Sequence, residues 1–167
     1  VMPRSADPTL QALGVLEELL LAQESGYRSL RGLVSTRREA IRSADLERLK
    51  LALDEERLAV TRLGDLDRKR TELAFGLAKR LSMIPANAKG PGAVPALSAI
   101  LAKVPSAHRE RLTVIAERLR DEINAARRES SVVRDAAERL AQHVAGILQS
   151  VSATFASNKT YSRGGRF

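Results

Sequence analysis

Two histidines, His108 and His143, are the first side chains to consider for chemistry, and they lie 35 positions apart. Neither has a second histidine or a carboxylate at the spacing a metal site needs. The run Gly64-Asp65-Leu66-Asp67 alternates carboxylates but lacks the rest of a calcium loop, and it sits inside a helical pattern. Serine and histidine occur without a nucleophile elbow. Gly90-Pro91-Gly92 is not a phosphate cradle, because no Lys-Ser/Thr follows it and no strand precedes it. The chain has no cysteine, which removes disulfides and every thiolate metal site. No enzyme activity, metal or cofactor is expected from these residues.

Charge is the next candidate for function. The 167 residues carry 28 Lys+Arg against 20 Asp+Glu, a net +8. Arg28, Arg31, Arg37, Arg38 and Arg42 crowd one segment, and Arg109, Arg111, Arg118, Arg120, Arg127 and Arg128 line another. Such clusters raise the alternative of a small basic nucleic-acid-associated protein. Two observations weigh against it. Aromatic content is 3%, too low for a base-stacking platform. Acids are also interleaved with the bases, and Glu24–Arg28, Asp65–Lys69 and Asp135–Arg139 stand at the i,i+4 spacing of a salt-laced solvent face.

A third feature is the absence of charge. Leu140 to Asn158 is nineteen consecutive residues without Asp, Glu, Lys or Arg, in a chain that is 29% charged. A surface helix normally places charges on its outer face. Here Leu140, Val144, Ile147 and Val151 are joined by Ala141, Ala145, Leu148 and Phe155 on neighbouring faces. Either both sides are buried in a bundle, or one face waits for a partner helix. The stretch is too polar to span a membrane, carrying Gln142, His143, Gln149, Ser150, Ser152, Thr154, Ser157 and Asn158.

The elements that must hold these residues are long helices. Leu, Ala, Arg and Glu dominate, and there is too little aromatic side chain for a β-sandwich or barrel. Asp7-Pro8 reads as an N-cap followed by proline at the first helical position. Leu13, Leu16, Leu20, Gln23, Tyr27, Leu30, Val34, Arg37 and Ile41 then step by three and four, a seam for helix packing. Gly14, Gly26 and Gly32 lower the propensity of this helix, so packing must hold it.

Ser43-Ala44-Asp45 breaks the pattern. A second seam follows: Leu46, Leu49, Leu53, Glu56, Val60, Leu63, Asp67, Arg70, Ala74, Leu77, Leu81 and Ile84. Its polar members Glu56, Asp67 and Arg70 read as an interhelical network that sets register. So short a break predicts an antiparallel hairpin with arms of roughly 50–60 Å.

Pro85, Gly90, Pro91, Gly92 and Pro95 mark a linker. The third seam runs Leu112, Ile115, Leu119, Ile123, Ala126, Ser130, Val133, Ala137, Leu140, Val144, Ile147, Val151 and Thr154. Its middle, Ala126 to Ala137, offers small or polar residues, so the helix is expected to be loosest there or to break. The expectation is an all-α protein: a long antiparallel hairpin plus a third long C-terminal helix, continuous or broken, in an elongated bundle. Residues 1–156 would form a single domain, with helices at about 8–42, 45–83, 96–103 and 107–156 and a linker at 84–95. Residues 157–167 would form a flexible basic tail. No signal peptide or spanning segment is read, which suggests a soluble, intracellular protein.

Four stretches together resemble the FlgN family, the cytoplasmic chaperones of flagellar type III export. They are Leu16-Glu17-Glu18-Leu19-Leu20 with Glu24, Tyr27 and Leu30; Ala40 to Leu49 around Asp45-Leu46-Glu47; Glu55-Glu56-Arg57-Leu58 with Leu63 to Arg70; and the ending Thr160-Tyr161-Ser162-Arg163-Gly164-Gly165-Arg166. The order and spacing of these pieces carry the resemblance. The Asn-x-x-Asn step common in the family's last helix is missing, since Asn124 stands alone.

The resemblance implies a protein that binds the C-terminal helices of the hook-associated, hook–filament junction proteins. It would prevent their early assembly and deliver them to the flagellar export gate and its ATPase components. On that reading Leu140, Val144, Ile147, Leu148, Val151 and Phe155 form the client groove, and Tyr161 helps dock on the gate. A structural coiled-coil oligomer is the other alternative, and a homo-oligomer in the free state is compatible with the seams.

Overall fold

The structure, a computed structural model, describes residues 7–85, 87 and 94–161, with side chains as far as residue 150. It is all-α: α1 spans Pro8–Arg42, α2 Leu46–Arg80, α3 Leu97–Ala102 and α4 Ser106–Tyr161. Residues 86 and 88–93 of the expected linker, and 162–167 of the expected tail, lie outside the described residues. Two compact units are distinguished, residues 1–129 and 130–167.

The first unit is built on the α1–α2 hairpin. The Asp7 carboxylate accepts the Thr9 amide at 2.9 Å, and Pro8 follows at the first helical position, as its sequence predicts. At the far end, Ala44 adopts a left-handed φ of 53°. Its amide donates to Ile41 O, and the Asp45 amide donates to Ala40 O. These two bonds satisfy carbonyls that the helix end would otherwise leave open. Asp45 then starts α2 by accepting the Arg48 amide at 2.9 Å. One residue thus closes α1 and opens α2, which folds the chain back in three residues.

α2 ends by the same device, with Ser82 at φ 56° and Met83 N–H bonded to Ala78 O. The helix therefore stops at Arg80, three residues before the expected end. Arg80 donates to Pro8 O at 2.6 Å, tying the end of α2 to the start of α1.

α4 runs beside α1 in the same direction as far as Glu129. Arg111 meets Glu17 at 2.6 Å and Arg118 meets Glu24 at 3.1 Å, so both partners advance by seven residues along their helices. The core gathers Leu13, Leu16 and Leu20 from α1, Ala74, Leu77 and Ala78 from α2, and Leu112, Ile115 and Leu119 from α4. The short α3 supplies Ile100 and Leu101, and Val104 follows it into the same cluster. α3 is thus an apolar plug where α1 starts, α2 ends and α4 starts.

Nearer the hairpin's middle, α1 and α2 approach closely. A Cβ on Gly26 would lie 2.7 Å from Leu63 Cδ2, so glycine there makes room for a buried leucine. Gly14 and Gly32 meet no such neighbour. Their cost in helix propensity, about 1 kcal/mol each relative to alanine, has no packing return.

One sequence expectation is corrected. The early members of the second seam are not buried: Leu46, Leu53 and Val60 are exposed, with Leu46 at 76%. Ala52 and Leu63 are the buried residues of this half of α2, and Glu56 is partly buried beside Arg37. The leucines stand to one side of that face, so the period was right and its phase was not. Of the two alternatives left open for Ala126 to Ala137, α4 takes the continuous one. Its helical assignment is uninterrupted from Ser106 to Tyr161, past the expected end at 156, with Ala126 and Val133 buried on the way.

Candidate functional site

The second unit contributes the later part of α4, and its character follows from composition. Leu140, Ala141, Gln142, Ala145 and Leu148 are good helix formers, whereas Val144, Ile147 and Gly146 are poorer ones. Gly146 costs about 1 kcal/mol relative to alanine. A Cβ there would meet nothing within 4 Å, so close packing does not require the glycine. Every residue from 138 to 150 is exposed. Leu140 and Val144 are each 46% exposed, Ile147 48% and Leu148 63%. Steps of four, three and one bring these four to one side of the helix, while Gln142 and Gln149 lie on the other. The stretch is therefore an amphipathic helix whose polar face is neutral and whose apolar face is open to water.

The structure brings Leu140, Val144, Ile147 and Leu148 of the expected client groove into one stripe. Val151, Phe155 and Tyr161 lie within α4, but their side chains lie outside the described residues. No charged group competes for the stripe between Arg139 and residue 150. A helix of this composition, with no charge pairs of its own, is marginal in isolation. A partner helix laid along the stripe would supply the missing burial, at about 25 cal/mol per Å² of apolar surface covered.

The polar seam residues lie elsewhere. Arg37 of α1 donates to Glu56 of α2 at 2.8 Å. Glu56 Oε1 and Arg37 Nε are buried without a partner among the described residues. Burial pushes the Glu56 carboxyl above its ordinary value, and the charge of Arg37 opposes the shift. Glu56 therefore binds its proton more tightly in the folded chain than in the unfolded one. The linked stability is present at low pH and falls as pH rises from the unfolded value, near 4.5, through the folded one. Glu56→Gln removes this titration. In urea unfolding between pH 4 and 7, the stability of the variant relative to the wild type should grow with pH. Parallel profiles would show that Glu56 is solvated.

Asp67 accepts from Arg70 on its own helix and from Gln23 of α1 at 3.5 Å. The Gln23 contact crosses between α1 and α2, as a register role requires, whereas the Arg70 contact stays within α2.

The α1–α4 ion pairs were not anticipated. Besides Glu17–Arg111 and Glu24–Arg118, Arg31 reaches Glu122 at 2.9 Å and Glu129 at 2.7 Å. Hydrogen bonds from Arg31 hold Glu122 below the usual carboxylate range, and those to Glu129 and Glu122 raise Arg31 itself. Of the three i,i+4 pairs read from sequence, the structure forms Glu24–Arg28, at 3.0 Å. Asp65 turns instead to Arg68. The signal for the cross-helix pairs was the seven-residue spacing of Glu17, Glu24 and Arg31 against that of Arg111 and Arg118. These contacts occupy Arg28, Arg31, Arg37, Arg111 and Arg118, drawn from both basic clusters.

Among the described residues, no group of three His, Asp or Glu could hold a metal ion. No helix there is long and apolar enough to cross a membrane. No curated protein and no solved structure matches the chain. A family model described as FlgN protein matches residues 12–166, nearly the whole length. It covers the hairpin, the plug and the whole of α4, and with that match the chain belongs to the FlgN family of flagellar export chaperones.

Proposed function

We propose that this chain is a cytoplasmic chaperone for hook-associated proteins. It binds their C-terminal amphipathic helices, keeps them from assembling early and hands them to the export gate and its ATPase components. It acts by binding and not by catalysis. The observation that carries the client is the open, uncharged apolar stripe at Leu140, Val144, Ile147 and Leu148. Val151 and Phe155 extend the same sequence pattern. Disordered amphipathic termini fold on binding, and an unfilled apolar stripe is a surface on which they can do so. Tyr161, beside Arg163 and Arg166 in sequence, is the residue proposed to meet the gate.

The nucleic-acid alternative rests on the net charge of +8. It is weakened because five of the clustered arginines are engaged in ion pairs with Glu17, Glu24, Glu56, Glu122 and Glu129.

The test is calorimetric titration of the full chain with the C-terminal segment of a hook–filament junction protein at two salt concentrations. Apolar docking predicts a negative heat-capacity change and an affinity that varies little with salt. Absence of binding, together with salt-steep binding to duplex DNA, would favour the nucleic-acid reading.

A further inference from the structure

A second surface lies in the first unit, far along the sequence from the stripe. α1, α2 and α4 meet there around a cleft of about 430 Å³. Leu20, Leu119 and Ile123 give it an apolar floor, and Arg70, Arg120 and Arg127 stand among its lining residues. A neighbouring cleft of about 530 Å³ between α3 and α4 shares Leu97 and Arg120 with it, and extends the lining to Leu101 and Arg109. The two clefts adjoin along one side of α4. From Arg109 to Arg127 the helix rises about 27 Å at 1.5 Å per residue, the length of five helical turns.

The cations in this cleft are poorly matched by its own anions. Arg120 and Arg127 have no ion-pair partner among the described residues, unlike Arg111 and Arg118 on the same helix. Arg70 is held by Asp67, but its Nε is buried and unpartnered. Gln23, 3% exposed, also lines the cleft, and its Oε1 has no partner. Arg109 spends its guanidinium on the Val104 carbonyl. The acids in the lining are Asp67, already engaged by Arg70 and Gln23, and Glu117. Two exposed arginines unpaired among the described residues, Arg120 and Arg127, over an apolar floor fit a ligand that brings carboxylates and leucine-like side chains together.

We propose that the two adjoining clefts along α4, bordered by α1, α2 and α3, form a docking site for an acidic amphipathic helix of a partner protein, distinct from the client stripe on the later part of α4. The apolar face of the partner lies on Leu97, Leu119 and Ile123, and its carboxylates meet Arg120 and Arg127. A chaperone with two such surfaces can hold one helix on each at the same time. The site does not depend on the client reading.

The probe is an 18-residue helical peptide with leucines at i, i+3, i+4 and i+7 spacing and glutamates flanking them. It is compared with a version carrying lysine at every glutamate, and with duplex DNA of similar length. Binding to the full chain is read by fluorescence anisotropy and by methyl shifts of Leu97, Leu119 and Ile123. The acidic peptide should bind and move those methyls. The double variant Arg120→Glu/Arg127→Glu should weaken it tenfold or more. Arg38→Glu/Arg128→Glu, with the same change of net charge, should stay within twofold. Ile147→Asp should leave this binding unchanged, which separates the site from the client stripe. The proposal is overturned if the peptide does not bind, or if the lysine version or the DNA binds as well. Equal losses in the two double variants, or peptide binding lost in Ile147→Asp, overturn it too.

Discussion

Replacing Ile147 with aspartate should weaken binding of a junction protein's C-terminal segment by a hundredfold or more, while the free chain keeps its melting temperature within about 2 °C. The expectation rests on the difference between the two states at this position. In the free chain Ile147 is 48% exposed, so an aspartate there remains solvated and the helix loses little. Under a bound client helix the same carboxylate would sit against apolar side chains. Losing the isoleucine contact costs about 2 kcal/mol, and burying an unpaired charge adds at least as much. Roughly 4–5 kcal/mol corresponds to a loss of between about a thousandfold and several thousandfold. Gln142→Asp is the matched control, because it adds the same charge on the opposite side of α4 and should change affinity less than threefold. Retained binding in Ile147→Asp would remove the stripe as the client site. A collapse of helicity across the whole chain would show that Ile147 belongs to a packed core.

The sequence made the three long helices legible because their cues are local. Asp7-Pro8 sets the start of α1, and Leu13, Leu16 and Leu20 mark its buried side at the expected spacing. Leu112, Ile115 and Leu119 do the same for α4. The end of α1 at Arg42 was legible in the break Ser43-Ala44-Asp45, whereas the end of α2 fell three residues before the one read. Ala44 and Ser82 take left-handed φ values despite carrying a Cβ, at a cost of about 1 kcal/mol each. Nothing in their side chains announces it.

The phase of α2 was misread for a related reason. Its heptad-spaced leucines at 46 and 53 are the eye-catching residues, but a small alanine at 52 is the one buried. At the candidate site, composition alone left Leu140–Leu148 open between core and exposed stripe. Burial depends on which helices reach that far, a tertiary property that residue spacing does not contain. The α1–α4 ion pairs and the arginine-rich cleft were hidden likewise. Gln23, Arg70 and Arg127 are distant in sequence and share a surface only after three helices pack.

Leu16→Ala should be the most damaging single truncation in the first unit, costing about 3 kcal/mol and lowering the melting temperature by about 10 °C. Leu16 is completely buried, among Leu13, Leu20, Leu77 and Leu112 in the cluster that α3 closes with Ile100 and Leu101. Its loss leaves a cavity that contacts from all four helices would have to collapse to fill, and the plug gives that end little freedom to do so. Leu46→Ala is the informative companion. By sequence both leucines belong to seams of three- and four-residue steps, yet Leu46 is 76% exposed and its truncation should cost less than about 0.5 kcal/mol. Urea unfolding followed by circular dichroism measures both. A large cost for Leu46→Ala that grows with protein concentration would mean that the exposed side of α2 is covered by a second copy in solution. A small cost at every concentration means that this side of α2 is solvated, and that the stability of the hairpin resides in the cluster around Leu16.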